Sequence, residues 1–217
     1  MYKNIIKILV IAAVFLNILR FFTFATTNFK YKNIIIGDSR MYDILTNDNI
    51  KKDNDTKIIA KNGASCNYLE TAIEEVEKYV KENNNYKFRI YLNLGVNDLN
   101  NVSKMDKVEK YCSVEGYFKK YQMLIENEWE KHEIYFISIN PIDNEEMLKG
   151  KYKNKNRRTN EEIMIFNEKM QYYIKDTKIK YCNTSQLLLV NGFETRDGLH
   201  YTEETSKDIY RYISFCK

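Results

Sequence analysis

The stretch NIIIGDSR, residues 33–40, decides the fold, because a short run of β-branched residues ends abruptly in turn-forming residues. Its first four residues are predicted to form a buried strand. Gly37-Asp38-Ser39 then ends that strand, and a helix is predicted over residues 40–45. A strand that passes through a tight turn into a helix is the repeating unit of parallel sheets with crossover helices.

The same alternation continues along the rest of the chain. Further strands are predicted at 56–60, 87–94, 133–139 and 179–182, and further helices at 68–81, 107–131, 159–174 and 202–215. Thr159 and Glu162 form a capping-box sequence, and Thr202 is a typical N-cap. Five strands alternating with helices predict an α/β fold, a three-layer α/β/α sandwich around a five-stranded parallel sheet of flavodoxin-like type.

Composition limits the chemistry more than it limits the fold. The 217 residues carry 34 Lys and Arg against 30 Asp and Glu, a net charge of +4, which is too small an excess for a dedicated nucleic-acid binder. The chain has two histidines, His132 and His200, so a His-rich metal site is excluded and a histidine base must be one of these two. No metal and no cofactor is therefore expected.

The four cysteines are widely scattered, and no C-x-x-C pair occurs. Cys66, Cys112, Cys182 and Cys216 indicate neither a zinc site nor a disulfide framework. We expect them to be mostly buried thiols in the core.

Residues 5–24 are mostly apolar and approach the length that spans a bilayer. The favoured prediction is an uncleaved membrane anchor over residues 1–27, followed by a catalytic domain at 28–217 outside the cytoplasm. Lys3 and Lys7 also fit a cleaved signal peptide, which would give a secreted protein, and a buried globular helix is a third possibility.

Polar residues follow the predicted strands where the chemistry of this sheet type is expected. Ser39 follows the first strand, Gly63 the second, Asn97 the third, and Asp197-Gly198-Leu199-His200 the fifth. Ligands of doubly wound sheets bind outside the carboxyl ends of the strands. We therefore expect these four segments to converge at one edge of the sheet.

A serine hydroxyl needs a general base, and the base needs a third group to orient it. His200 can supply the base for Ser39, and Asp197 lies close enough in sequence to hold the other ring nitrogen. His132 lies in a charged segment at the opposite end of the sheet and is expected to be solvated. Taken alone, Ser39 could equally be a turn residue or a helix N-cap.

Acyl transfer also needs hydrogen-bond donors for the oxygen that becomes negative. The candidates for this oxyanion hole are the backbone amides of Ser39 and Gly63 and the side-chain amide of Asn97. Asn97 could instead be an Asx-turn residue, and Asp98 is expected to stabilise its loop rather than to take part in catalysis.

Together, Gly37-Asp38-Ser39, Gly63, Gly95-Val96-Asn97-Asp98 and Asp197-Gly198-Leu199-His200 resemble, in order, the four blocks of the SGNH (GDSL-like) hydrolases. The resemblance covers about residues 33–215. It implies a catalytic triad of Ser39, Asp197 and His200, an oxyanion hole of Ser39, Gly63 and Asn97, strand order 2-1-3-4-5, and no metal. Arg40 departs from the commonest family pattern, which has Leu after the serine.

The sequence says less about the substrate, and no binding residue is assigned. Tyr42, Tyr68, Asn140 and Tyr201 lie near the predicted strand ends and are candidates to line a pocket. Residues 149–158 contain six Lys or Arg, which indicates a solvated loop or, alternatively, a strip that binds an anionic polymer.

The predicted function is that of a serine esterase that removes an O-acyl group, O-acetyl in the first instance, from a small molecule or a cell-surface glycan. Two alternatives stay open: an O-acyltransferase with the same triad, and a catalytically silent glycan-binding module. Product analysis with an added glycan acceptor distinguishes the acyltransferase from the esterase. The second is disfavoured because Ser39, Asp197 and His200 are all present.

Overall fold

The computed structural model of the chain describes residues 30–99, 132–150, 152–153 and 158–216. Its sheet has five parallel strands, in chain order β1 (Tyr31–Gly37), β2 (Thr56–Ala60), β3 (Lys87–Asn93), β4 (Glu133–Ile137) and β5 (Lys180–Cys182). The spatial order β2-β1-β3-β4-β5 confirms the order that the family resemblance implied. The described residues from Tyr31 onward form one compact unit.

Helices occupy both faces of this sheet, as the alternating pattern predicts. In chain order the described helices are α1 (Ser39–Thr46), α2 (Tyr68–Glu82), α3 (Val96–Leu99), α4 (Asn144–Lys149), α5 (Asn160–Ile174), α6 (Thr184–Asn191) and α7 (Glu203–Phe215). Successive side chains of a strand point to opposite faces, and a buried parallel sheet needs apolar residues on both. For this reason the strands of such a sheet are nearly continuous runs of apolar residues.

Two buried clusters show the three layers directly. Ile34 and Ile36 of β1 belong to the cluster that also contains residues of α2 and α5, such as Val76 and Met170. Ile35, between them, belongs to the opposite cluster, together with residues of α1, α6 and α7. The prediction of a three-layer α/β/α sandwich is therefore confirmed.

Register brings the carboxyl ends of the central strands together. Gly37, the last residue of β1, pairs with Ala60 of β2 on one side and with Asn93 of β3 on the other. The segments that leave these three strands start at the same edge of the sheet. They carry Ser39, Gly63 and Asn97.

Most predicted elements are present, with ends displaced by at most two residues. The capping box of Thr159 and Glu162 and the N-cap at Thr202 are both formed. Three helices were not predicted, α3, α4 and α6. The predicted helix at 107–131 lies outside the described residues.

The predicted anchor, residues 5–24, also lies outside the described residues. Among the helices that are described, none combines the length and the apolar character needed to cross a bilayer.

The expectation of core thiols was wrong. Cys182, at the end of β5, forms a disulfide with Cys216, which directly follows α7. Cys66 is disulfide-bonded as well, and no described cysteine is a free thiol. Closing a loop across the 34 positions from Cys182 to Cys216 restricts the unfolded chain and stabilises the fold by about 3 to 4 kcal/mol.

Candidate active site

Ser39 is placed by the tight junction between β1 and α1. It is the first residue of the helix, and Asp38 before it is the N-cap, whose side chain accepts a 2.9 Å hydrogen bond from the Arg40 backbone amide. The cap fixes the turn, so the Ser39 side chain stands at the carboxyl edge of the sheet and at the N-terminus of α1. Taken alone, Ser39 could have been the N-cap itself, but that role belongs to Asp38.

The loop at residues 195–201, called here the base loop, carries the other two predicted catalytic residues. An isolated antiparallel bridge joins Thr195 to Tyr201, and the Arg196 amide donates to the His200 carbonyl at 2.7 Å. Gly198, at φ +84°, packs so closely against α4 that a Cβ atom would collide with Met147. The loop is irregular, but each of its turns is fixed by a specific contact.

Three of the predicted residues form one continuous chain of hydrogen bonds. His200 Nε2 lies 3.0 Å from Ser39 Oγ. His200 Nδ1 lies 2.9 Å from Asp197 Oδ2, and the His200 amide donates to Asp197 Oδ1 at 2.8 Å. A carboxylate that accepts the Nδ1 proton leaves Nε2 free to accept the serine proton. This arrangement can activate a serine for attack on a carbonyl carbon.

Gly63 and Asn97 lie beside this chain and line the same cavity. Gly63 has φ +70° on an exposed turn after β2, a conformation that glycine adopts without strain. The Asn97 side-chain amide, in α3, donates one hydrogen bond to the Ala64 carbonyl at 2.8 Å. An amide nitrogen carries two hydrogens, so the second is available to a bound oxyanion.

The predictions for Asp98 and His132, two polar residues not assigned to catalysis, have different outcomes. Asp98 accepts hydrogen bonds from the Cys66 amide, at 3.1 and 3.3 Å, so it does stabilise the loop beside Asn97. His132 was expected to be solvated, and that was wrong. It is half-buried, packs edge-on against Phe88 at 5.1 Å, and accepts a hydrogen bond from the Phe88 amide.

A cavity of about 490 Å³ opens beside Ser39. Its described wall is made largely of polar groups: Ser39, Asp43, Asn62, Gly63, Asn97, Tyr152, Arg158, Arg196, Asp197, Leu199 and His200. Leu199 is the one aliphatic side chain among these described residues. Such a wall suits a polar molecule better than a long acyl chain.

None of the four candidate pocket residues lines the described wall of this cavity. Tyr201 and Asn140 are buried behind it: the Tyr201 hydroxyl donates to the Pro141 carbonyl, and Asn140 accepts a hydrogen bond from Thr184. Tyr42 and Tyr68 are half-buried elsewhere. Proximity to a strand end is a weak predictor because it ignores which way a side chain points.

No protein-family model and no curated protein matches this sequence. Solved structures do match. A member of the lipolytic protein G-D-S-L family from Veillonella parvula is 14% identical over 85% of this chain and 94% of that chain, with a TM-score of 0.52.

Two further matching structures are of proteins named for an enzymatic activity. The catalytic domain of peptidoglycan O-acetyltransferase A from Streptococcus pneumoniae is 15% identical over 87% of this chain and 93% of that chain, with a TM-score of 0.52. A catalytic mutant of an acetylxylan esterase from Geobacillus stearothermophilus is 12% identical over 84% of this chain and 91% of that chain, with a TM-score of 0.53.

The chain has the SGNH hydrolase fold. At this level of identity the likeness concerns the fold, and the chemistry has to be argued from the side chains. Among the described residues, no cluster of His, Cys, Asp and Glu side chains is arranged to hold a metal ion.

Arg40, where the commonest SGNH pattern has Leu, is a structural connector that the sequence did not predict. It is 3% exposed, and its guanidinium donates to the Leu199 carbonyl at 3.2 Å and to the Asn140 carbonyl at 2.9 Å. It also lies 5.0 Å from the centre of the Tyr201 ring. Arg40 thus ties the serine turn to the base loop and to the segment after β4.

A buried group of charged side chains lies beside Ser39. Burial raises the pKa of the Asp38 carboxyl, while the positive charge of Arg40 acts in the opposite direction. Arg158 is 5% exposed, and burial together with the nearby Arg40 lowers its pKa to about 10. Arg158 belongs to the basic stretch 149–158, which was expected to be a solvated loop, and for this residue that expectation was wrong.

Proposed function

We propose that this protein is a serine esterase that deacylates an O-acyl ester through a covalent acyl-enzyme. The observation that carries the proposal is the unbroken hydrogen-bonded chain Asp197–His200–Ser39 at the wall of a polar cavity. A hydroxyl, an imidazole and a carboxylate in this order are what nucleophilic attack on an ester requires.

In the first half-reaction, Ser39 Oγ attacks the ester carbonyl carbon while its proton passes to His200 Nε2. The carbonyl oxygen becomes an oxyanion, which accepts hydrogen bonds from the backbone amides of Ser39 and Gly63 and from the Asn97 side chain. The C–O bond to the alcohol then breaks, and His200 gives the proton to the departing alkoxide. The acyl group remains on Ser39.

In the second half-reaction, His200 removes a proton from a water molecule, which attacks the acyl carbon. The same donors hold the second oxyanion. Ser39 leaves with the proton returned by His200, and a free carboxylic acid is released. Asp197 keeps the proton of the neutral imidazole on Nδ1 throughout and stabilises the imidazolium when it forms.

A short acyl group on a carbohydrate is the substrate class we propose, acetyl in the first instance. The polar cavity wall supports a hydroxyl-rich alcohol part. Proteins of the same fold include the acetylxylan esterase and the peptidoglycan O-acetyltransferase, which also supports an acylated glycan.

We further propose that the catalytic domain works outside the cytoplasm, held at the membrane by residues 5–24 or secreted after their removal. The apolar run supports this location. The disulfides at Cys182, Cys216 and Cys66 support it independently, because disulfides persist in oxidising compartments. Fractionation of cells that make the full chain tests it, and recovery in the cytoplasm would contradict it.

The largest expected effect tests the nucleophile. Ser39→Ala removes the attacking oxygen, so we expect hydrolysis of p-nitrophenyl acetate by the full-length protein to fall about 10⁴-fold or more. Labelling by a fluorophosphonate probe should disappear in parallel. Ser214→Ala, on α7 and away from the site, is the matched control and should keep both.

Absence of labelling in well-folded wild-type protein would overturn the esterase proposal. It would favour the silent glycan-binding module, which glycan-binding measurements would then test.

Transfer to a sugar hydroxyl instead of water is the second candidate function, favoured by the likeness to the peptidoglycan O-acetyltransferase. Both reactions pass through the same acyl-enzyme. Product analysis with an added oligosaccharide acceptor separates them, since a transferase yields more acylated acceptor than free acid.

A further inference from the structure

One wall of the candidate active-site cavity carries a buried cation. Arg158 lines the same cavity as Ser39 and His200, yet only 5% of the residue is exposed. Long cationic side chains usually keep their charged end in water. A guanidinium held in a cavity wall with so little exposure is a feature that the esterase mechanism above does not use.

Arg158 is charged at neutral pH. Burial and the positive charge of Arg40 lower its pKa to about 10, which is still well above 7. The carboxylate of Asp38 acts on Arg158 and on Arg40 alike, and it also accepts the Arg40 amide. The charge of Arg158 is therefore a permanent part of the cavity, and its field is weakly screened because the group is removed from solvent.

A second arginine in the same wall is arranged differently. Arg196 forms an ion pair with Asp43, and its side chain is 55% exposed. The charge of an exposed arginine is screened by water and contributes little to binding a further charge. Among the described residues of the wall, Arg158 is therefore the cation whose charge acts with the least screening.

We propose that Arg158 binds an anionic oxygen group, a carboxylate or a phosphate, on the alcohol part of the ester. This proposal rests on the proposed function, because it takes the cavity as the site that holds the ester. The guanidinium can donate a charge-assisted hydrogen bond to either group. A short acyl group at Ser39 has no room for an anion, so the charge belongs to the alcohol part, as in a uronic acid or a sugar phosphate.

The test compares three aryl acetates with the full-length protein. Methyl 4-acetoxybenzoate is neutral, 4-acetoxybenzoate carries a carboxylate at the same position, and 4-acetoxyphenyl phosphate carries a phosphate. The quantity measured is kcat/KM for each anionic ester divided by that for the neutral one. We expect the wild-type ratio to exceed the Arg158→Gln ratio by about tenfold, the usual contribution of a hydrogen bond to a charged group, with the change mainly in KM.

Two further variants keep the outcome interpretable. Arg158→Lys retains the charge and should keep part of the preference, even if Arg158→Gln folds poorly. Lys149→Gln removes an exposed cation from the same basic stretch, outside the described cavity wall, and should leave the ratio unchanged. The anionic ester with the larger ratio identifies the group as carboxylate or phosphate.

Equal ratios in wild type and Arg158→Gln would overturn the proposal. So would an equal loss of all three activities in Arg158→Gln and Arg158→Lys, since that indicates a structural role.

If the proposed function itself is wrong, wild-type protein will hydrolyse none of the three esters. This outcome is distinct from the results that overturn the anion site. The anion site is still tested in that case by calorimetry on Ser39→Ala, with 4-hydroxybenzoate, 4-hydroxyphenyl phosphate and methyl 4-hydroxybenzoate as ligands. Tighter binding of either anion that is lost on adding Arg158→Gln supports the site. Equal affinity for all three overturns it.

Discussion

The serine turn at residues 37–40 and the base loop at residues 195–201 contribute to one site, but they are held in different ways. The serine turn joins a buried strand to a helix and is fixed by its own N-cap. The base loop depends on distant partners: Arg40 donates to the Leu199 carbonyl, and the Asp143 amide donates to the Gly198 carbonyl. The nucleophile is thus placed by local structure, while the base is placed by tertiary contacts.

The largest effect expected within the base loop comes from Asp197→Asn. An amide cannot accept the Nδ1 proton in the same way, so the imidazole adopts the wrong tautomer and kcat should fall by about 10⁴-fold. Steady-state kinetics with p-nitrophenyl acetate measures it. Asp208→Asn, which removes a surface partner of Arg211 on α7, is the matched control. Near-normal turnover in Asp197→Asn would show that Asp197 is not a member of the catalytic triad.

Asn97→Ala should have the next largest effect, because it removes one oxyanion donor and leaves the nucleophile and the base in place. We expect kcat to fall by about 10²-fold or more. The side chain also donates to the Ala64 carbonyl, so thermal unfolding of the variant has to be measured alongside. Wild-type turnover in a folded Asn97→Ala protein would show that the oxyanion is held elsewhere.

The serine turn was the easier region to predict. Ile34, Ile35 and Ile36 are apolar because both faces of β1 are buried, and the turn after them places Ser39 at the sheet edge. Helix α6 was not predicted, because part of its apolar run is exposed instead of buried. Leu189 and Val190 are 61% and 70% exposed, so its apolar run has no amphipathic period.

Three other features could not be read from local sequence. Cys182 and Cys216 are brought together by the fold, and their spacing indicates nothing. Arg158 lies in a run of basic residues of the kind that is usually solvated, and its burial depends on tertiary packing. Arg40 was noticed as a departure from the family pattern, but its contacts with the segments after β4 and before α7 emerge only in three dimensions.

Arg40→Leu tests the connection between the two regions. It leaves the carbonyls of Leu199 and Asn140 without these donors, so we expect a lower melting temperature and about a tenfold lower kcat with little change in KM. Arg40→Lys should restore part of kcat, because one ammonium can reach one of the carbonyls. A normal kcat in Arg40→Leu would mean that the base loop keeps its place without the buried guanidinium.

The smallest effect is expected at Glu203, in α7, which accepts hydrogen bonds from Asn47 and Asn49 beyond α1 and from Lys207. These bonds, that from Lys207 first, lower its pKa from 4.5 to about 2. Its contribution to stability is therefore complete above about pH 4.5 and is lost as the pH falls towards 2.

Glu203→Gln should accordingly lower the melting temperature slightly at pH 7, and the difference from wild type should close between pH 4.5 and 2. Melting curves across this range measure it. A difference that is the same at every pH would mean that the carboxylate charge of Glu203 does not contribute to holding α7 against the segment after α1.

The disulfide between Cys182 and Cys216 closes a loop that contains two of the three triad residues. The chain between these cysteines includes both Asp197 and His200, whereas Ser39 lies outside it. A single proteolytic cut between residues 183 and 215 would leave both pieces covalently attached at β5. A nicked molecule would thus keep Asp197 and His200 tethered to the sheet that carries Ser39, until a reductant cleaves the disulfide.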